Sequence, residues 1–92
     1  MSAAGKRHMA RVAQLPCALC LRLGMRTDGV QVHHIREGQG MAQRASDFLT
    51  IPLCPEHHIG HEGIHGTRSM FRIAKVNELD LLADTIEALT NA

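Results

Sequence analysis

Tryptophan and tyrosine are absent from this chain of 92 residues, and phenylalanine occurs only twice, as Phe48 and Phe71. The large aromatic side chains that dominate core burial are therefore nearly missing. A chain this short buries only about 60% of the surface its unfolded form exposes, so a core of Ala, Leu, Ile, Val and Met alone leaves it marginal. No apolar run approaches the roughly 18 residues of a transmembrane helix, which excludes a helical membrane span. No secretory signal is expected, because Lys6, Arg7, His8 and Arg11 interrupt the first segment. Disulfides are a poor staple for the same chain: the Cys count is 3, an odd number, and Cys17 and Cys20 stand too close together in sequence to close a useful loop.

What stands in excess is metal-binding capacity, with 7 His beside those 3 Cys. A small chain with a weak core needs a staple, and metal is the better candidate. The net charge of +1 hides an uneven distribution. All 10 Lys and Arg lie in residues 1–77, and eight of them are Arg, the residue suited to bidentate phosphate contact. Glu78, Asp80, Asp84 and Glu87 make residues 78–92 acidic, with no base among them. A basic body is compatible with nucleic-acid binding, though on charge alone a solvated mixed surface is the simpler reading.

The apolar spacing of Met9, Val12 and Ala13 predicts a helix over Lys6–Leu15, ended by Pro16. Cys17-Ala18-Leu19-Cys20 comes immediately after and is expected in a turn. Val30 to Ile35 alternates like a strand, with Val30, Val32 and His34 on one face and His33 and Ile35 on the other. Phe48 to Cys54 reads as a second strand, with Pro52 marking an edge or a strand end. Pro55 can open a short helix through Glu56, His57 and His58, and Gly60, Gly63 and Gly66 interrupt the segment after it. Thr67 is expected to cap a segment carrying Met70, Phe71 and Ala74. Asn77 caps the last helix, with Asp80 completing a capping box. In that helix Leu79, Leu82, Ile86 and Leu89 form an apolar stripe expected to pack on the core.

Cys17-x-x-Cys20 and Cys54-x-x-His57 are two ligand pairs that can converge on one ion. Three thiolates and one imidazole make a standard structural zinc set, and buried reduced thiols are the bland alternative. Binding on the order of 10 kcal/mol would supply the stability that the core lacks. His33, His34, His58 and either His61 or His65 remain. Adjacent His33 and His34 point to opposite faces of a strand, so one can bind metal while the other acts as a base near neutral pH. His33 facing His58 would form a second metal site. His61-Glu62-Gly63-Ile64-His65 also matches the zinc-protease pattern H-E-x-x-H, but Gly inside and beside it argues against the helix that chemistry needs. A zinc module without catalysis, binding DNA or a protein partner, is the alternative from another class; it needs only Cys17, Cys20, Cys54 and His57.

From Leu15 to His65 these elements resemble the HNH nuclease family in kind and order: the Cys17–Cys20 knuckle, the His33-His34 strand, Asp47, then Leu53-Cys54-Pro55-Glu56-His57-His58. More narrowly, His33-His34-Ile35-Arg36-Glu37-Gly38-Gln39-Gly40, Asp47 to Cys54 and Gly63-Ile64-His65-Gly66 resemble the phage Ref group, HNH nucleases linked to recombination and to RecA-coated DNA. The resemblance implies an α+β fold: a small zinc-stapled β-β-α metal domain spanning residues 1–92. Residues 1–15 would form the N-terminal helix, 16–66 the knuckle and metal core, and 67–92 the C-terminal helices. It implies a metal-dependent DNA endonuclease, phage or prophage encoded and acting in the bacterial cytoplasm. His34 is the implied general base, with Asp47 at the position of the motif's middle Asn. His33 and His58 are implied ligands of a catalytic divalent ion (Mg²⁺, Mn²⁺, Ni²⁺ or Zn²⁺), with His65 completing the shell ahead of His61. Cys17, Cys20, Cys54 and His57 match the structural Zn²⁺ set. Arg36, Arg44, Arg68 and Arg72 are candidates for phosphate contact. DNA and a RecA-type filament are the implied partners, and a homodimer would bring one site to each strand.

Overall fold

A computed structural model of the chain describes residues 2–36 and 45–91. The order is helix α1 (Ala3–Val12), helix α2 (Ala18–Arg22), strand β1 (Gln31–His34), strand β2 (Thr50–Leu53), helix α3 (Pro55–His58), helix α4 (Ser69–Ala74) and helix α5 (Glu78–Thr90). The fold is a small α+β arrangement of helices around a two-stranded antiparallel sheet. Among the described residues no helix is long and apolar enough to cross a membrane.

Helix α1 starts earlier than its apolar spacing suggests, because the Ser2 hydroxyl accepts from the Gly5 N–H and caps it. The first cysteine pair is not in a bare turn. Cys17 is the N-cap of α2, and its sulfur accepts from the Cys20 N–H. A sulfur that caps a helix is thereby fixed relative to the cysteine one turn on. Strands β1 and β2 pair with His33 opposite Ile51 and His34 opposite Thr50. The alternation holds: His33 is buried and His34 half-buried. Strand β2 is buried along its whole length, so it is the spine of the core. Pro52 sits within it, allowed because each strand of a two-stranded sheet has a free edge.

The core gathers Leu19, Ile35, Ile51, Leu53, Ile64, Phe71 and Leu81 around the three cysteines. Helix α4 is entered through Arg68 in the left-handed conformation (φ 59°), not through a Thr67 side-chain cap at the N-cap position; the Thr67 hydroxyl instead accepts from the Ser69 N–H. The Asn77–Asp80 capping box of α5 forms as expected.

The apolar stripe of α5 is corrected. Leu79 and Ile86 are 51% and 50% exposed, whereas Leu81 and Thr85 are buried. At 100° per residue the inner face, centred on Leu81 and Thr85, is turned by roughly 100° from the expected one, leaving Leu82 and Leu89 at its margin. Thr85 can occupy the core because its hydroxyl donates to the Leu81 carbonyl at 2.7 Å. The same rotation turns Glu78 inward. Nor is the C-terminal segment a free acidic surface: Asp84 pairs with Arg22 and Glu78 with Arg68.

Candidate metal centres and active site

The zinc-type cluster is built by the two ligand pairs, one on the first turn of α2 and one at the start of α3. Pro55 at the first position of α3 sets its backbone for the helix and costs no hydrogen bond. Cys54 therefore caps α3 and His57 returns one turn later on the same side. Cys17, Cys20, Cys54 and His57 are all buried, and their ligand atoms lie within 4.8 Å of one another. Nδ1 of His57 stands 3.6, 3.4 and 3.4 Å from the sulfurs of Cys17, Cys20 and Cys54. The Cys20 and Cys54 sulfurs are 3.9 Å apart. A tetrahedral zinc with ordinary bond lengths sets edges of about 3.6 Å between sulfur and nitrogen and about 3.8 Å between sulfurs. The donor set therefore fits one tetrahedral ion. Burial pushes the Cys17 and Cys54 thiols above the ordinary cysteine range, so metal binding would have to release protons from them.

The second cluster comprises His33, His58 and His65, also within 4.8 Å. His33 comes from the buried face of β1 and His58 from the last position of α3. His65 reaches them because the chain folds back on α3 after Gly60. The Ile64 N–H donates to the His57 carbonyl at 2.8 Å and the His65 N–H to the His58 carbonyl at 3.0 Å. A side chain at Gly63 would lie 2.6 Å from the His57 carbonyl oxygen, so only glycine permits that approach. The glycines that break the helix thus bring His65 beside His58, and their Nε2 atoms are 3.1 Å apart. Two imidazoles bound to one ion at about 2.0–2.1 Å would show a similar separation.

Each of the other two rings has a polar partner. Nδ1–H of His58 donates to Oε1 of Gln31 at 2.7 Å, which leaves the lone pair on Nε2, the atom beside His65. Nε2 of His33 lies 3.2 Å from Oε2 of Glu78, whose other oxygen is 3.4 Å from Nη2 of Arg68. Burial pushes His33 below the usual histidine range, with Glu78 opposing; burial and then the neighbouring His33 and His65 do the same to His58. Neutral imidazole is the form that binds metal. The donor set fits a divalent ion with positions left open to solvent.

On the opposite face of β1, His34 meets Asp47, with Nε2 2.9 Å from Oδ1. The His34 side chain is 37% exposed and Asp47 only 17%. Asp47 is itself tied down, since its carbonyl accepts from the Thr50 hydroxyl at 3.0 Å. His34, His33, His65, Arg36, Arg68 and Glu78 line one open cavity of about 610 Å³. His34 and two members of the three-histidine cluster, His33 and His65, therefore border the same space.

Of the arginines named from the sequence, Arg36 and Arg68 reach this cavity. Arg72 is turned toward the Thr67 carbonyl, 2.7 Å away. Arg44, with the segment from Glu37 to Gly40, lies outside the described residues. His61 is exposed and does not join the cluster. The stretch from His61 to His65 is a series of turns, so the H-E-x-x-H pattern never forms its helix. Gln31 and Glu78 are the members of the second site that sequence reasoning misses. Neither belongs to a recognisable motif, and only the register of β1 and the rotation of α5 bring them there.

Among curated proteins none matches the chain. A family described as recombination enhancement, RecA-dependent nuclease matches residues 1–78, which take in both histidine arrangements and all four zinc-type ligands. With more than half of its length so matched, this chain belongs to the family of RecA-dependent nucleases that act in recombination enhancement.

Proposed function

We propose that the chain is a metal-dependent endonuclease of the HNH type that hydrolyses DNA phosphodiester bonds, with β1, β2 and α3 as its β-β-α metal core. The observation that carries the reading is one cavity bordered by a carboxylate-held histidine and by His33 and His65 of a histidine cluster of metal-ligand geometry. A zinc module without catalysis would need the Cys₃His set and nothing else. His33, His58 and His65 would hold the catalytic ion, and Cys17, Cys20, Cys54 and His57 a structural zinc. The chemistry such an ion supplies, when bound, is neutralisation of charge on a phosphoryl oxygen and on the leaving oxygen.

The protein's own groups account for the rest. A carboxylate only accepts, so His34 donates Nε2–H to Asp47 and keeps a lone pair on Nδ1. That nitrogen takes the proton from water attacking phosphorus in line, and Asp47 stabilises the imidazolium that results. Arg36 and Arg68 bind phosphate oxygens from the cavity wall. Contacts of this kind go to the backbone, so little sequence preference is expected. DNA and a RecA-type filament are the proposed partners, in a bacterial cytoplasm. A homodimer would let two sites cut both strands.

The test is nicking of supercoiled plasmid with Mg²⁺, Mn²⁺, Ni²⁺ or Zn²⁺, with and without a RecA-coated complementary strand. Wild type is expected to nick under at least one metal, and His34→Ala to lose at least about 10²-fold in rate while keeping its structural zinc. A wild type inert under every condition, or a His34→Ala variant that nicks equally well, overturns the reading.

A further inference from the structure

Glu78 is the least accessible carboxylate at the cavity, 11% exposed, and it faces two different groups. Oε2 lies 3.2 Å from Nε2 of His33, and Oε1 lies 3.4 Å from Nη2 of Arg68. His33 is buried in turn, its side chain 7% exposed. A half-buried carboxylate with one oxygen on a metal-ligand candidate and the other on a phosphate-contact candidate has a defined place in a hydrolytic site. We infer that Glu78 is a positioning residue, fixing the ring orientation and tautomer of His33 through one oxygen and the direction of Arg68 through the other. This rests on the reading of His33, His58 and His65 as holding a divalent ion.

Each group's donors and acceptors set the arrangement. An ionised carboxylate accepts only, so the His33 proton sits on Nε2 and the lone pair is confined to Nδ1. A metal-bound histidine characteristically gives its other N–H to such an acceptor, and loss of that partner typically weakens metal binding 10–100-fold. Glu78 stands at the first position of the 13-residue helix α5, where the macrodipole favours negative charge. Arg68 is held from a second side as well: its Nε–H donates to the Ile64 carbonyl at 2.9 Å. The guanidinium has further N–H groups to present to phosphate. Gln31 plays the corresponding part for His58, but as a neutral acceptor for one ring only.

The experiment is titration of zinc-loaded protein with Co²⁺, read by its visible absorption and by calorimetry without DNA, for wild type, Glu78→Gln and Arg68→Ala. Thermal melting and tightly held zinc per chain are measured on the same samples. Wild type is expected to take up one Co²⁺ beyond its zinc. Glu78→Gln should retain the zinc and its melting temperature within a few degrees, yet bind that Co²⁺ 10–100-fold more weakly. Arg68→Ala should bind it as wild type does and show a raised KM for plasmid with a smaller change in kcat. Wild-type affinity in Glu78→Gln overturns the inference, as does equal weakening in Arg68→Ala, which would mark a general loss of the site. A wild type that takes up no second ion removes the metal reading and this inference together. A wild type that binds Co²⁺ but never nicks, with Glu78→Gln weakened, removes the nuclease reading and leaves the role of Glu78 standing.

Discussion

The two histidine-containing clusters differ in donor chemistry and in burial. In the Cys₃His cluster all four members are buried, and the four donor atoms match the edges of a closed tetrahedron. In the three-histidine cluster only His33 is buried, His58 is half-buried and His65 exposed. The closed set leaves no position for a reactant, which is the mark of a structural site; the open one leaves several. Their surroundings differ to match. The closed cluster is wrapped by Leu19, Ile51, Leu53 and Leu81, while the open one is held by Gln31, Glu78 and Arg68. One chain segment serves both, since His57 faces the closed cluster and the adjacent His58 the open one. Whatever rigidity the closed cluster has is therefore passed directly to the open one.

The largest effect should come from opening the closed cluster. Cys54→Ala removes one of four ligands and with it most of a binding energy on the order of 10 kcal/mol, in a core whose phenylalanine is Phe71 alone, Phe48 being exposed. The expected outcome is an unfolded or molten chain by circular dichroism, with less than one zinc bound, and no nicking. His34→Ala is the mirror experiment: zinc content and melting temperature unchanged, nicking reduced at least about 10²-fold. If Cys54→Ala stays folded, or if His34→Ala loses zinc, the division of labour between the closed cluster and the His34–Asp47 pair is wrong.

A smaller effect sharpens where the closed cluster's support lies. Leu81 is fully buried against it, whereas Leu79 is 51% exposed. Leu81→Ala should cost about 2–5 kcal/mol in urea unfolding, and Leu79→Ala no more than about 0.5 kcal/mol. Equal costs would return the inner face of α5 to the stripe read from the sequence.

That stripe shows where the sequence stops being informative. Helix α5 carries Leu79, Leu81, Leu82, Ile86 and Leu89, so helical spacing fits more than one face. The deciding residue is Thr85, which looks polar but satisfies its hydroxyl on the Leu81 carbonyl and can be buried. Metal-ligand spacing is much less ambiguous. Two residues between Cys17 and Cys20, and between Cys54 and His57, place donors one helical turn apart wherever the chain then goes. The alternation of β1 likewise separates His33 from His34 by geometry alone. Glu78 and Gln31 are illegible because each depends on packing: a carboxylate at the start of an acidic helix reads as a dipole partner, and a glutamine on a strand reads as solvent-facing. The capping box is legible because it is local, the three-residue interval between Asn77 and Asp80 being its whole content.

The smallest predicted effect falls on the open cluster's neighbour alone. Gly5 lies inside α1, where alanine would ordinarily gain about 0.5–1 kcal/mol in helix stability. It is buried, and a Cβ there would stand 2.7 Å from Oδ2 of Asp47 and 3.1 Å from its Cβ. Asp47 cannot swing away freely, because its other oxygen holds His34 and its carbonyl accepts from Thr50. Gly5→Ala therefore sets a helix-propensity gain against a displaced carboxylate, with no atom of either metal cluster touched. Melting should move little in either direction, and zinc content and Co²⁺ affinity should equal those of wild type. Nicking should fall several-fold at saturating metal, because the imidazole of His34 is no longer held in one orientation, a loss of about 1 kcal/mol in barrier terms. Gly5→Ser should do the same. In an Asp47→Ala background, adding Gly5→Ala should produce no further loss. An undiminished rate in Gly5→Ala would mean that Asp47 does not orient His34, and the proposed role of the pair would fall.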